Sequence, residues 1–213
     1  MIIENQKPLS NLYDVVYSLY KKNSTMLPVH SWPHINFVFK KSSEFAVELG
    51  ADIIIVQASA LIHDLNYFDD LNILNINEGD MLFSAGFDLQ KITKIRTAVE
   101  EARTTKRSEC ISLEAMALSD GDTLFKALPI TPVLFARDFM KENDMNIREL
   151  AGKIISFQGS LLDKGIYFYS KSASKYLEWA QTNIALWRNI LESLNDQDGV
   201  ELVKSQGLTD YDY

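Results

Sequence analysis

The sequence predicts an all-α protein, a single helical bundle, and three observations carry that expectation. Apolar residues recur at three- and four-residue spacing through almost the whole chain, as at Leu12, Val15, Val16 and Leu19, which is the period of one helix face. The runs are punctuated by helix starts and stops, with Pro33 and Pro132 near the beginnings and Gly50 and Pro129 at the ends of runs. The one segment with strand character, Ile53-Ile54-Ile55, has no other strong strand candidate to pair with.

Each element follows in order. Leu9 to Tyr20 reads as the first amphipathic helix. Ser31-Trp32-Pro33 opens the second, with Ser31 as N-cap, and its stripe runs through Ile35, Val38, Phe39, Phe45, Ala46 and Leu49 to a stop at Gly50. Ile53 to Ile62 is apolar nearly all round, so this third helix is expected at the centre. Tyr67 to Asn77 is irregular. A short helix is expected over Glu78 to Phe87, and another, capped by Asp88, carries Ile92, Ile95 and Val99 to about Arg103. Thr104 to Glu109 is a polar, basic link. A helix over Cys110 to Leu128 ends at Pro129, and Pro132 starts the next. After a turn at Asn143 to Asn146, helices are expected over Ile147 to Leu162 and Tyr167 to Leu194, and the polar, acidic tail from Asn195 onward is expected to be loose.

At 213 residues the chain is one domain with a small annex. The expected division is an all-α domain over 1–195, with a core at about 28–130, a C-terminal helical part at about 131–195 and a tail at 196–213. The net charge of −8 argues against a nucleic-acid polymer as partner, since that needs a basic surface. The single cysteine, Cys110, cannot form an intramolecular disulfide. The N-terminus lacks a basic region followed by an apolar one, and Ile53 to Ile62 is too short to span a bilayer. The expectation is a cytoplasmic protein without a membrane partner.

The candidate site begins with His63-Asp64, which closes the apolar run Ile53 to Ile62. A buried carboxylate costs several kcal/mol unless it is paired or binds a metal. The chain has three histidines, His30, His34 and His63. His34 falls in the first turn of the second helix, and the tight Gly50 turn brings the start of that helix beside the end of the third. The carbonyl end of the third helix also favours a cation. His30 precedes its helix and reads as a loop residue. A further ligand is available in Ser119-Asp120-Gly121-Asp122. Asp120 continues the stripe Leu113, Met116, Ala117 and Leu124. Asp122 lies with Ile111, Ala115, Leu118 and Phe125, so periodicity does not choose between them. Imidazoles and carboxylates drawn into an apolar interior suit a hard or borderline divalent cation.

The ordered set His34-Ile35, then His63-Asp64 after an apolar helix, then Leu113-Glu114-Ala115-Met116-Ala117-Leu118-Ser119-Asp120-Gly121-Asp122-Thr123-Leu124 resembles the small stand-alone members of the HD-domain superfamily. The resemblance spans about residues 28–130, and Lys171 to Leu194 is similar to the long last helix of that group. It implies an all-α fold, a divalent metal held by His34, His63, Asp64 and Asp122, and hydrolysis of a phosphate ester. By that match Asp122 is the ligand and Asp120 a near neighbour.

Two departures from the family pattern shape the expectation. Many members carry an extra histidine before the Leu-Glu-Ala motif, whereas Val99 to Thr105 contains none, which favours one metal ion (Mn, Mg, Fe, Co, Ni or Zn). Phe37 stands where the family has an arginine. The phosphate then needs another cation, with Lys40, Arg96, Arg103, Lys106 and Arg107 as candidates, Arg103 and Lys106 foremost. The expected function is a metal-dependent phosphohydrolase for a small phosphorylated metabolite such as a nucleotide. Asp64 would also orient the attacking water, and Glu100, Glu101 or Asp69 would act as general acid or base. The alternatives are a non-catalytic metal- or ligand-binding protein of the same fold and, less favoured, a di-iron oxygenase. The expected partner is a small phosphorylated molecule, with a homodimer allowed.

Overall fold

The computed structural model describes residues 7–70 and 73–205, with residue 70 described by its backbone alone. The amphipathic stripes fold as helices. α1 (Lys7–Lys22) buries Leu9, Leu12, Val16 and Tyr20 along one face. α2 (Trp32–Leu49) follows Ser31, has Pro33 in its first turn, and ends at Gly50, whose left-handed φ of 72° lets its N–H reach the Ala46 carbonyl. α3 (Ile53–Ile62) is capped by Asp52, which accepts from the N–H groups of Ile54 and Ile55. Every residue from Ile55 to Ile62 is buried, so α3 is the central helix.

α4 (Asn66–Asp70) is a short turn of helix. α5 (Glu78–Ala85) starts at an Asn77 cap, and α6 (Leu89–Ala102) at an Asp88 cap that accepts from Lys91 N–H. α7 (Leu113–Ala127) is capped by Ser112. α8 (Ile130–Glu142) follows Pro129, and α9 (Ile147–Asp163) opens with a reciprocal Asn146–Glu149 capping box. α10 (Lys171–Ser174), α11 (Leu177–Ser193) and α12 (Gln197–Ser205) complete the chain. No strand occurs among the described residues, and no described helix is long and apolar enough to cross a membrane.

α2 packs along α7 on one side and α3 on the other, and α6 closes over α3 and α7. The main core includes Ile35, Val38, Ile55, Leu61, Ile62, Ile95 and Leu118. A second cluster joins Phe45, Val56, Leu124 and Ile184 with the segment Ile166 to Phe168. A smaller one, Met140, Leu150, Ala151 and Trp187, is shared by α8, α9 and α11. The last forms the C-terminal part that flanks the site.

Several boundaries differ from the sequence expectation. The helix expected from Cys110 begins at Leu113, because Ser112 caps it through Ala115 N–H and leaves Cys110 exposed in the link. The helix expected over Tyr167 to Leu194 is broken before α10 and again before α11. Tyr169 and Ser170 send their N–H groups to the Asp120 carboxylate instead of to helical carbonyls, so the chain stays extended until Ser170 caps α10 through Ala173 N–H. The stretch Tyr67 to Asn77 contains part of α4. The tail expected to be loose holds α12, and residues 206–213 lie outside the described part.

Candidate metal centre and its cavity

Four side chains meet where the start of α2, the end of α3 and the middle of α7 converge. His34 Nε2 stands 3.3 Å from His63 Nε2, 3.0 Å from Asp64 Oδ2 and 3.9 Å from Asp122 Oδ1. His63 Nε2 is 3.2 Å from Asp64 Oδ2. The donor atoms of His34, His63 and Asp122 all lie within 4.8 Å of one another. Ligand bonds of about 2.1 Å put neighbouring donors about 3.4 Å apart around a tetrahedral ion and about 3.0 Å apart around an octahedral one. The spacings among His34, His63 and Asp64 are of that size and that of Asp122 from His34 is wider, and His34, His63 and Asp122 together could hold a divalent cation. Two imidazole lone pairs also cannot face one another at 3.3 Å without a proton or a cation between them.

The backbone prepares this arrangement. His63 caps the carbonyl end of α3, where the helix dipole favours positive charge. Its Nδ1 donates to the Ala60 carbonyl at 2.8 Å, which leaves Nε2 as the donor atom facing the cluster. His34 Nδ1 is buried and makes no hydrogen bond. The imidazole is held through Nε2 by Asp64 and His63 and by packing on Phe125, with ring centroids 4.5 Å apart.

The electrostatics are those of a compact ion cluster. Burial opposes ionisation of Asp64, but His63 and His34 outweigh it and hold the carboxyl well below the usual range. Burial likewise opposes ionisation of Asp122, and Lys126, His63 and His34 hold it at about 2. Burial lowers His34 despite Asp64, whereas His63 is raised because Asp64 overcomes its burial. Asp122 is anchored from behind, with Lys126 Nζ 2.5 Å and an Arg107 guanidinium nitrogen 3.7 Å from its Oδ2.

Asp120 does different work. Its carboxylate accepts from Tyr169 N–H at 2.8 Å and Ser170 N–H at 2.7 Å. Burial pushes its pKa up to about 6 against these bonds. It ties the chain before α10 to α7 and contributes nothing to the imidazole cluster. Thus α7 turns two neighbouring acids to opposite tasks.

The cluster forms the polar end of a cavity of about 320 Å³. His30, His34, Asp64 and Asp122 line it together with Phe125, Phe135, Phe139, Phe157 and Trp187. Its cations are Lys126 and Lys153, and Lys153 Nζ lies 5.4 Å from the Phe139 ring centroid. Arg103 and Lys106 lie exposed outside this lining, and Arg103 pairs with Glu100 at 3.0 Å. Lys40 and Arg96 are also exposed. Arg107 is buried and serves the protein, donating to the Ala102 carbonyl and Thr123 Oγ1 beside Asp122. Phe37 packs on Phe125, with centroids 5.8 Å apart. Glu101 accepts from Ser112, and Asp69 accepts from Ile76 N–H, so neither faces the cluster.

The sequence reading places His30 in the loop before α2, where it lies, but gives it no partner and gives Glu142 no role. His30 is buried, stacks on Tyr67 with centroids 3.5 Å apart, and pairs through Nδ1 with Glu142 from the end of α8. Glu142 also accepts from Val29 N–H at 3.1 Å. The only sequence signal was the four-residue interval to His34. The partner lies more than a hundred positions away, beyond the reach of local patterning.

No protein-family model, curated protein or solved structure matches the chain.

Proposed function

We propose that this protein is a metal-dependent phosphoric ester hydrolase acting on a small phosphorylated molecule. The observation that carries this reading is a group of His34, His63 and Asp122 that could hold a metal ion, with Asp64 within 3.2 Å of both imidazoles, at the polar end of a substrate-sized cavity. The resemblance of the ordered His, His-Asp and Asp set to HD-domain phosphohydrolases supports it. Two imidazole nitrogens and two carboxylates suit one hard or borderline divalent ion, such as Mn²⁺, Mg²⁺, Fe²⁺, Co²⁺, Ni²⁺ or Zn²⁺. When bound, such an ion lowers the pKa of coordinated water and withdraws charge from a phosphoryl oxygen.

The chain's own residues would do the rest. Ala60 fixes the His63 ring, and Lys126 with Arg107 fixes Asp122. Asp64 would orient the attacking water as well as ligate. Lys126 and Lys153 bring positive charge to the cavity wall for the phosphoryl oxygens. His30, held through Nδ1 by Glu142, would hold or deliver a proton through Nε2 at the departing oxygen. The aromatic walls would limit competing water.

A second reading, a metal- or ligand-binding protein without turnover, draws on one observation: Phe37 packs on Phe125 where the resembled family carries an arginine. A screen of the protein loaded with Mn²⁺, Mg²⁺, Fe²⁺ or Co²⁺, against nucleoside phosphates, sugar phosphates and simple phosphomonoesters, separates the two. Metal-dependent release of phosphate, abolished in Asp64→Ala, is expected. A fully loaded site with no turnover on any of these would favour the second reading.

A further inference from the structure

The cavity is polar at one end only. Away from the imidazole cluster and its two lysines, the walls are Phe125, Phe135, Phe139, Ile154, Phe157 and Trp187. Several polar groups along them are already engaged within the protein, although Tyr67, Thr104 and Thr105 also belong to the lining. Asn183 Nδ2 donates to the carbonyls of Lys126, Ala127 and Leu128. Gln158 Oε1 accepts from the Tyr167 hydroxyl, and Thr131 Oγ1 donates to the Phe125 carbonyl. A nucleobase and ribose placed there would meet ring faces with few partners for their polar edges, a poor exchange for the water they leave. The apolar character continues outward on α8, where Val133 is 77% and Leu134 57% exposed beside the lining residues Pro132 and Phe135.

Size narrows the occupant. A cavity of about 320 Å³ has room for more than a phosphoryl head. Lys153, held against the Phe139 face beside a second cation, Lys126, is a place for the anionic head. We infer that the molecule this site takes carries its phosphoryl group on a hydrocarbon body, an alkyl chain or an aryl group. The phosphoryl head rests on the hydrolase reading above, whereas the hydrocarbon body rests on the walls alone.

The test uses the Mn²⁺-loaded full chain. One arm measures kcat/KM for ethyl, butyl, hexyl and octyl phosphate and phenyl phosphate, beside a nucleoside monophosphate and a sugar phosphate. The other measures binding of the matching alkylphosphonates, which are not hydrolysed, by tryptophan fluorescence. Each added methylene should improve binding and kcat/KM about fourfold until the cavity fills. Phe135→Ala and the partly exposed Phe157→Ala should flatten that dependence. Chain-length-dependent phosphonate binding without turnover would leave this inference standing while the hydrolase reading fell. Turnover that favours nucleotides, with no gain from ethyl to octyl, would overturn the inference and keep the hydrolase. Flat phosphonate binding in the folded wild type would also overturn it.

Discussion

Gly121 of α7 lies against Ser42 of α2 with no room for a side chain. A Cβ at position 121 would overlap Ser42 Oγ and stand 2.9 Å from Ser42 N and 3.1 Å from the Val38 carbonyl. This close approach joins the helix that bears His34 to the helix that bears Asp122, so the spacing of the two candidate ligands depends on the absence of a side chain at the residue before Asp122.

Gly121→Ala should therefore damage the site without altering a candidate ligand. Overpacking of a tight helix contact costs about 1–3 kcal/mol, and the displacement should weaken metal binding at least tenfold. Denaturant unfolding and metal titration of the same sample would check both. Ser42→Ala should be nearly neutral, because Ser42 Oγ is buried without a partner. Combined with Gly121→Ala it should relieve only part of the clash, since backbone atoms of α2 remain close. Full rescue would show that the hydroxyl alone sets the spacing.

The neighbouring acids should separate cleanly under mutation. Asp122→Asn and His63→Ala should lower metal affinity by about 10–100-fold or more, the scale for even a supporting partner of a ligand, and spare most of the core. Asp120→Ala should keep metal affinity nearly unchanged yet cost about 2–5 kcal/mol, because it strands the N–H groups of Tyr169 and Ser170. Equal metal loss in both aspartate variants would contradict the geometry.

The same two acids should also titrate with opposite effects on stability. Asp122 falls from its ordinary 3.8 to about 2. Its contribution is then complete above about pH 4 and is lost as pH falls from 4 to 2, amounting to about 2 kcal/mol. Asp120 rises from 3.8 to about 6. The folded state then holds its proton longer than the unfolded chain does, so stability declines as pH rises from about 4 to 6. Chemical unfolding of metal-free protein across pH 2–7 should show the low-pH slope reduced in Asp122→Asn and the upper slope removed in Asp120→Asn.

Glu142 should prove structural as well as local to the site. Its side chain is 1% exposed and holds both His30 and Val29 N–H. Stranding a buried hydrogen-bonding group costs about 1–3 kcal/mol, and two groups lose their partner here. Glu142→Ala should lose about that much and loosen α8, detected as faster amide exchange along Ile130–Glu142. Glu142→Gln, which still accepts from Val29, should lose less.

Lys126→Met tests the support behind Asp122. Its ammonium sits 2.5 Å from Asp122, and removing this support of a candidate ligand should weaken divalent-metal binding by about 10–100-fold. If the lysine also faces the phosphoryl group, KM should rise in the same variant. Calorimetric metal titration beside steady-state kinetics would show whether the two effects occur together.

The sequence by itself determined the helical character, because burial patterns of period 3.6 and the caps at Asp52, Asp88 and Ser112 act within a few residues of chain. It also determined which residue types could form a cation site, since His63-Asp64 after the apolar α3 is costly without a partner. Periodicity left open which acid on α7 faces the histidines, the family resemblance pointed to Asp122, and the tertiary structure turns Asp122 toward them. Apolar stripes run on both sides of that helix, and the choice came from Tyr169 and Ser170 claiming Asp120 from 49 and 50 positions away. Only the tertiary structure decided the roles of Arg107, a cation by composition that is buried behind Asp122, and of His30, whose partner Glu142 is 112 positions distant. Local periodicity records which face of a helix avoids water. It carries no record of which distant polar group will satisfy a buried charge, and that pairing exists only once the helices have packed.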